Sequence, residues 1–290
     1  MCDSATRAAN AMLKIDSHTH VFAPEIIESR DLHGRSEPWF HRLYGSGAKM
    51  ATTDDLLSSM DTAGIDKSVV MSFGWRSSEQ CAAGNDHLME RASRHSGRLI
   101  PFISANPSDP QDAVREIERW ASDGAAGVGE LYADGQGFDL GRYETISAVA
   151  EACSETGLIL CIHITEPVGH DYPGKDASDT RRIWQFLSSA PANLKLLLSH
   201  WGGGFGFYEL MPEVAEAAAN CFYDTAASHL LYDDRVYSIM SRLAPGRILF
   251  GYDFPLVPQS TMLKRIENAG LSQRELTALL GENARSAGLG

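Results

Sequence analysis

The stretch Leu13-Lys14-Ile15-Asp16-Ser17-His18-Thr19-His20 decides how this chain is read. An apolar run, Leu13 to Ile15, ends at His18 and predicts a short first strand. Alternate residues of a strand point to the same face, so the imidazoles of His18 and His20 can reach one metal ion. Seven further β-rich runs follow: Lys67 to Phe73, Leu99 to Ser104, Gly127 to Leu131, Leu158 to His163, Leu194 to His200, Cys221 to Asp224 and Ile248 to Asp253. Several, such as Leu158-Ile159-Leu160-Cys161-Ile162, are continuously apolar, as parallel strands buried on both faces are. Between the runs, residues 54–63, 111–121, 143–156, 179–190, 209–219 and 232–243 carry apolar side chains at helical spacing. Ser272 to Leu280 reads as a closing helix, with Ser272 and Glu275 placed for a capping box. Strands alternating with helices predict a parallel sheet. Eight of them predict an α/β fold closed as a (β/α)8 TIM barrel.

The chain has 290 residues, and α/β barrels of ~250 residues fold as one domain. A single domain is therefore expected over residues 12–290, with the small, polar residues 1–11 read as a disordered tail. The formal net charge of −13 opposes a nucleic-acid groove, which needs a positive field. No window reaches the ~20 apolar residues of a membrane span. Five cysteines, Cys2, Cys81, Cys153, Cys161 and Cys221, form no close pair. That pattern favours a reducing compartment over a disulfide framework. The expectation is a cytoplasmic enzyme acting on a small molecule, with no nucleic-acid or membrane partner.

Chemistry concentrates at the strand ends. His18, Glu130, His163, His200 and Asp253 end predicted strands one, four, five, six and eight, and His20 joins His18. Each residue alone has an ordinary structural role, such as a hydrogen-bonded histidine or an acid capping a turn. Together they fall on the one face of a barrel where active sites form. Loops on that face add Arg76, Tyr132, His170 and Trp201 as candidate substrate-binding residues. Arginine is a natural bidentate partner for a carboxylate.

These motifs resemble the metal-dependent amidohydrolase superfamily. Lys14 to His20 is similar to its opening strand. Leu198-Ser199-His200-Trp201-Gly202-Gly203 is similar to the sixth-strand motif of the amidohydrolase-2 branch, which also contains aminocarboxymuconate-semialdehyde decarboxylase. Ile248 to Pro255 looks like the eighth-strand motif, and Gly281-Glu282-Asn283-Ala284 like the closing helix. The resemblance implies a distorted (β/α)8 barrel with His18, His20, His163 and Asp253 as metal ligands. It implies His200 as the sixth-strand histidine that polarises substrate or positions the water, or in binuclear members binds a second metal, and a homodimer or homotetramer. Glu130 departs from the decarboxylase pattern and is closer to TatD-type hydrolases, which makes it an extra or bridging ligand.

Three imidazoles and a carboxylate suit Zn2+ first, with Mn2+, Fe2+ or Co2+ as alternatives. The expected reaction is hydrolysis of a C–O or C–N bond in a lactone, ester or amide of a small organic acid. Asp253 would take the proton of a metal-bound water, and His200 would donate to the developing oxyanion. Glu130 and the modest length favour hydrolysis over the second reading, metal-dependent non-oxidative decarboxylation of an unsaturated or aromatic acid. A third reading is a non-catalytic barrel used for binding.

Overall fold

The computed structural model describes residues 12–45 and 47–290; the expected tail, residues 1–11, lies outside them. Eight parallel strands run in sequence order: β1 (Ile15–His20), β2 (Lys67–Met71), β3 (Leu99–Ile103), β4 (Gly127–Leu131), β5 (Ile159–Ile162), β6 (Leu196–Leu198), β7 (Cys221–Asp224) and β8 (Ile248–Leu249). The ring is completed between its ends by Ser17 N to Phe250 O at 2.7 Å, Asp253 N to His18 O at 3.0 Å and His20 N to Phe254 O at 2.7 Å. Buried Asp16 adds a side-chain clasp, accepting from Tyr252 N at 3.1 Å and Gln259 Nε2 at 2.7 Å. The protein is a (β/α)8 barrel.

Strand residues divide by parity, as a pleated strand requires. Ile15, Val69, Met71, Phe102, Cys161, Leu197 and Leu249 form one apolar cluster inside the ring. Val70, Ile103, Val128, Leu160, Leu196, Leu198 and Ile248 belong to the larger cluster beneath the helices. Leu13, Ala284, Ala287 and Leu289 join the inner cluster and close the end of the barrel where the strands begin. The opposite end is left for chemistry.

The sequence placed all eight strands; the bounds of β4 and β7 are as expected, and those of the other six shift at one or both ends. β1 continues through His20, and β8 stops at Leu249 because the chain then turns to bond β1. The capping box of Ser272 and Glu275 is present. The helix expected over 209–219 shrinks to Pro212–Ala217, since Pro212 lacks the N–H an interior position needs. The helix Ser78–Arg94 was not anticipated, although its buried face, Cys81, Asn85, Leu88, Met89 and Ala92, keeps helical spacing with polar Asn85 the one break in it. Three short helices, Pro24–Glu28, Arg30–Ser36 and Pro38–Tyr44, also went unread. They pack Trp39 and Phe40 against Phe73, Trp75 and Tyr132 beside the mouth.

Two strands carry irregular register, and both irregularities fall at site residues. Pairing shifts between Asp16 and Thr19 in β1 and between Val128 and Leu131 in β4. Such bulges re-aim side chains near active sites; here they set His18 and Glu130. At Gly129 φ is +136°, and a Cβ there would run into the Cys161 carbonyl of the neighbouring strand. We predict that Gly129→Ala destabilises the barrel by ~1–3 kcal/mol through overpacking. A thermal melt matching that of the natural chain would refute this account of β4.

Candidate active site

The strand-end residues meet on one rim. His18 and His20 come from β1, Glu130 from β4, His163 follows β5, His200 follows β6, and Asp253 lies in the turn after β8. His200 and Asp253 sit at positive φ, 53° and 68°. Non-glycine residues rarely occupy that region, and such strain persists where surrounding structure holds it, often at functional sites. Glu130 is the hub. Its Oε2 lies 3.6 Å from His18 Nε2 and 3.5 Å from His20 Nε2. Its Oε1 lies 3.1 Å from His163 Nδ1 and 3.5 Å from His200 Nε2. Asp253 Oδ1 is 3.9 Å from the Nε2 atoms of both His18 and His20.

Among the described residues, three overlapping sets could hold a cation: His18, His20 and Glu130; Glu130, His163 and His200; and His18, His200 and Asp253. None contains both His163 and Asp253, so the expected single quartet of ligands is spread across a wider cluster. Glu130 belongs to two sets. His163 reaches the others through Glu130 and His200.

Each imidazole has one nitrogen tied outward. His18 Nδ1 donates to Asp224 Oδ2 at 2.9 Å, and His20 Nδ1 to Ser72 O at 3.3 Å. His163 Nε2 donates to Gly174 O at 2.7 Å, and His200 Nδ1 to Ala226 O at 3.2 Å. The four remaining nitrogens therefore face the cluster, and each offers it a lone pair when its ring is neutral. His18 Nε2 and His20 Nε2 face each other at 3.1 Å. Lone pairs at such range, beside a carboxylate, need a proton or a cation between them. Outward N–H bonds of this kind are how proteins orient metal-ligating histidines, so the donor set fits a divalent cation.

The electrostatics agree. Burial alone would lower the His18 pKa, but Asp224 and then Glu130 push it up to about 10. Burial opposes His163 likewise, and Glu130 pushes it up to about 9. Burial would raise Glu130, yet the charges of His18 and His163 hold it well below the usual carboxylate range. The rim is thus a sink of negative potential that attracts positive charge.

A cavity of about 440 Å³ opens above the rim, within the ~300–1,000 Å³ typical of small-molecule sites. His20, Glu130, His163, His200 and Asp253 line its floor, and Tyr44 and Tyr132 its wall. His170 lines it as expected. Arg76 does not: its side chain is exposed and it lies outside the lining. Trp201 is fully buried, donating to Ser228 Oγ at 2.7 Å and packing edge-on against Tyr237, so it supports the rim and does not face substrate. The cation in the described lining is Lys49, which no strand or helix pattern marks.

Asp224 was also missed, though it was placed at the end of the seventh strand. It is buried, and besides His18 it accepts from His200 N at 2.9 Å and Ala226 N at 3.0 Å. An acid at a strand end was the available signal, the same one that found Glu130 and Asp253. The described cysteines, Cys81, Cys153, Cys161 and Cys221, are free and buried. Among the described residues no helix is long and apolar enough to cross a membrane.

A closed parallel barrel with histidines and acids gathered at its strand ends is the architecture of a metal-dependent amidohydrolase-type enzyme. The chain belongs to the amidohydrolase family, whose amidohydrolase-2 model matches residues 15–287. It is 27% identical to 6-methylsalicylic acid decarboxylase of Penicillium expansum, over 87% of this chain and 88% of that protein. Its fold matches 5-carboxyvanillate decarboxylase of Sphingomonas paucimobilis with TM-score 0.77 at 18% identity, covering 96% of this chain and 99% of the other. It also matches 5-carboxyvanillate decarboxylase of Novosphingobium aromaticivorans, complexed with manganese and 4-hydroxy-3-methoxy-5-nitrobenzoic acid. There the TM-score is 0.76 at 16% identity, with 96% of each chain covered. These relatives are decarboxylases, which overturns the expectation of hydrolysis. Glu130 therefore does not mark a hydrolase: four imidazoles surround it, and a glutamate so placed serves any reaction that needs the cluster.

Two outcomes are expected. Asp224→Asn weakens the acceptor that orients His18 and lowers metal affinity ~10–100-fold, the usual effect of losing such a partner; full metal content after dialysis would exclude that role. Metal uptake also depends on pH. The His18 and His163 pKa values are raised to about 10 and 9, so both are protonated at neutral pH without metal. Binding must displace those protons, and affinity falls as pH falls, by ~10-fold per unit per proton. Calorimetry in buffers of different ionisation enthalpy measures the release.

Proposed function

We propose that this chain is a metal-dependent, non-oxidative decarboxylase of a hydroxybenzoic acid. The observation that carries this reading is the cavity floor, a buried ring of oriented imidazoles and carboxylates beneath walls of aromatic and aliphatic side chains. A flat, anionic, single-ring acid suits that division of chemistry. The relative named for 6-methylsalicylic acid, similar along nearly the whole barrel, supports it.

His18, His20, His163 and Asp253 would hold the cation, with Glu130 as a further ligand. Zn2+ and Mn2+ both suit this donor set. When bound, the ion supplies Lewis acidity and offsets the charge of the substrate's carboxylate and hydroxyl. The net reaction replaces the carboxylate with hydrogen. The ring carbon gains a proton, its bond to the carboxylate carbon breaks, that electron pair restores the aromatic ring, and CO2 leaves.

The chain's own residues manage the proton. Asp253 has the partly exposed carboxylate of the rim, 15% accessible, and can reload from solvent and deliver to the ring carbon. His200, fixed through Nδ1 to Ala226 O, presents Nε2 to the substrate's polar edge. Tyr132 stays protonated, since burial first and Glu130 second raise its pKa well above the ordinary value. Its ring stacks on Phe73 at 5.4 Å and extends the aromatic wall. Lys49 offers positive charge where an anionic acid enters a chain of net charge −13.

The test is a panel of metal-loaded assays with 6-methylsalicylate, 2,6-dihydroxybenzoate and simple aryl lactones. Released CO2 from the acids is expected, and Asp253→Asn should cut turnover by ~10²–10⁴-fold while circular dichroism stays unchanged. Lactone opening without CO2 from any acid would sink the proposal.

A further inference from the structure

Three of the four inward-facing imidazoles are tied to a strand or to a residue just beyond one. His18 bonds Asp224 of β7, His20 bonds Ser72 O after β2, and His200 bonds Ala226 O after β7. His163 differs. Its Nε2 donates to Gly174 O, eleven residues further along the chain. No strand or helix intervenes between β5 and the helix Thr180–Leu187. The direction of His163 therefore depends on whatever holds that loop. Bonds within the loop make it one unit. Lys175 N donates to Tyr172 O at 3.0 Å and closes a turn with Pro173 and Gly174 at its centre, the order that turns favour. Lys175 Nζ reaches back to Val168 O at 2.8 Å and His170 O at 3.2 Å. Two staples tie the unit to the end of β5. Thr165 holds the downstream side, its N donating to Ser178 O at 3.0 Å and its Oγ1 to Asp176 O at 3.0 Å. Glu166 holds the upstream side, where Oε2 accepts from the Tyr172 hydroxyl at 2.8 Å. Arg42 Nη2 adds a longer bond to Tyr172 O, at 3.4 Å.

A loop stapled at both sides is ordinary architecture. Here the turn between the staples carries the carbonyl that sets a rim histidine. We infer that Glu166, which is not among the described cavity-lining residues, is a positioning residue for the metal. Through Tyr172 it keeps the Gly174 carbonyl in place. That carbonyl holds the Nε2 proton of His163 and leaves Nδ1 turned toward the cluster. The inference rests on the reading of His163 as a metal ligand. Without the Tyr172 bond the unit is hinged at Thr165 and Asp176, and the carbonyl two residues from that hinge swings off the imidazole. Losing an outer partner of a ligating histidine lowers metal affinity by about tenfold or more.

The test is calorimetric titration of the full chain with Mn2+, joined to proton NMR of the zinc-loaded chain. Glu166→Ala and Tyr172→Phe should each weaken Mn2+ binding about tenfold. Tyr172→Phe deletes one oxygen at a half-buried position, so it probes the same bond with little disturbance to the fold. Glu166→Gln keeps an oxygen that can accept from Tyr172 and should stay within about threefold of the natural chain. The double variant Glu166→Ala/Tyr172→Phe should lose no more than either single one, because both remove one bond. In the zinc-loaded natural chain the Nε2 proton of His163 should exchange slowly enough to be seen; in Glu166→Ala it should vanish. Unchanged Mn2+ affinity in both single variants overturns the inference. So do losses that add in the double variant, a Glu166→Gln as weak as Glu166→Ala, or a His163 proton that persists while affinity falls. A natural chain that binds neither ion removes the metal reading and this inference together. Natural binding matched by every variant removes this inference alone.

Discussion

The structure depends on a buried knot of imidazoles and carboxylates at one end of the barrel. Four imidazoles and Glu130 are buried there, and among the described residues the ion-pair partners of Glu130 are histidines. In a low-dielectric interior such a group is costly unless positive charge compensates it. Outward acceptors fix each ring, so the inward nitrogens cannot turn away. What would be a defect in a folded domain is therefore a prepared place for a divalent ion.

The barrel makes that preparation affordable by separating stability from chemistry. Apolar parity fills the interior and the layer beneath the helices, and the C-terminal segment seals the far end. The rim can then carry irregular backbone, including positive φ at His200 and Asp253 and shifted register in β1 and β4. The closing bonds from β1 to the turn after β8 bring His18, His20 and Asp253 together.

Above the rim, the loops decide what can approach. The helices between β1 and β2 supply Leu43 and Tyr44, the loop after β5 supplies His170 and Tyr172, the short helix Ser228–Leu231 after β7 supplies Leu230 and Leu231, and the turn after β8 supplies Leu256. The Gly174 carbonyl of the loop after β5 also holds His163. One loop thus lines the cavity and orients His163, so sequence change there bears on both the cavity and the geometry of the cluster.

The amino-acid sequence by itself determined the eight strands, the barrel and the convergence of His18, His20, Glu130, His163, His200 and Asp253, because period-two patterning and strand-end position are local properties. It also carried the superfamily, since the motifs at β1, β6 and β8 are contiguous. It did not reveal hydrolysis or decarboxylation, because one cluster of imidazoles and acids serves both. Only the tertiary structure decided that Asp224 orients His18, that Arg76 stays outside, that Trp201 is a support, and that Lys49 and the leucines line the mouth. Those facts arise from register shifts and loop packing, which bring together side chains far apart in the chain and leave no periodic trace in it.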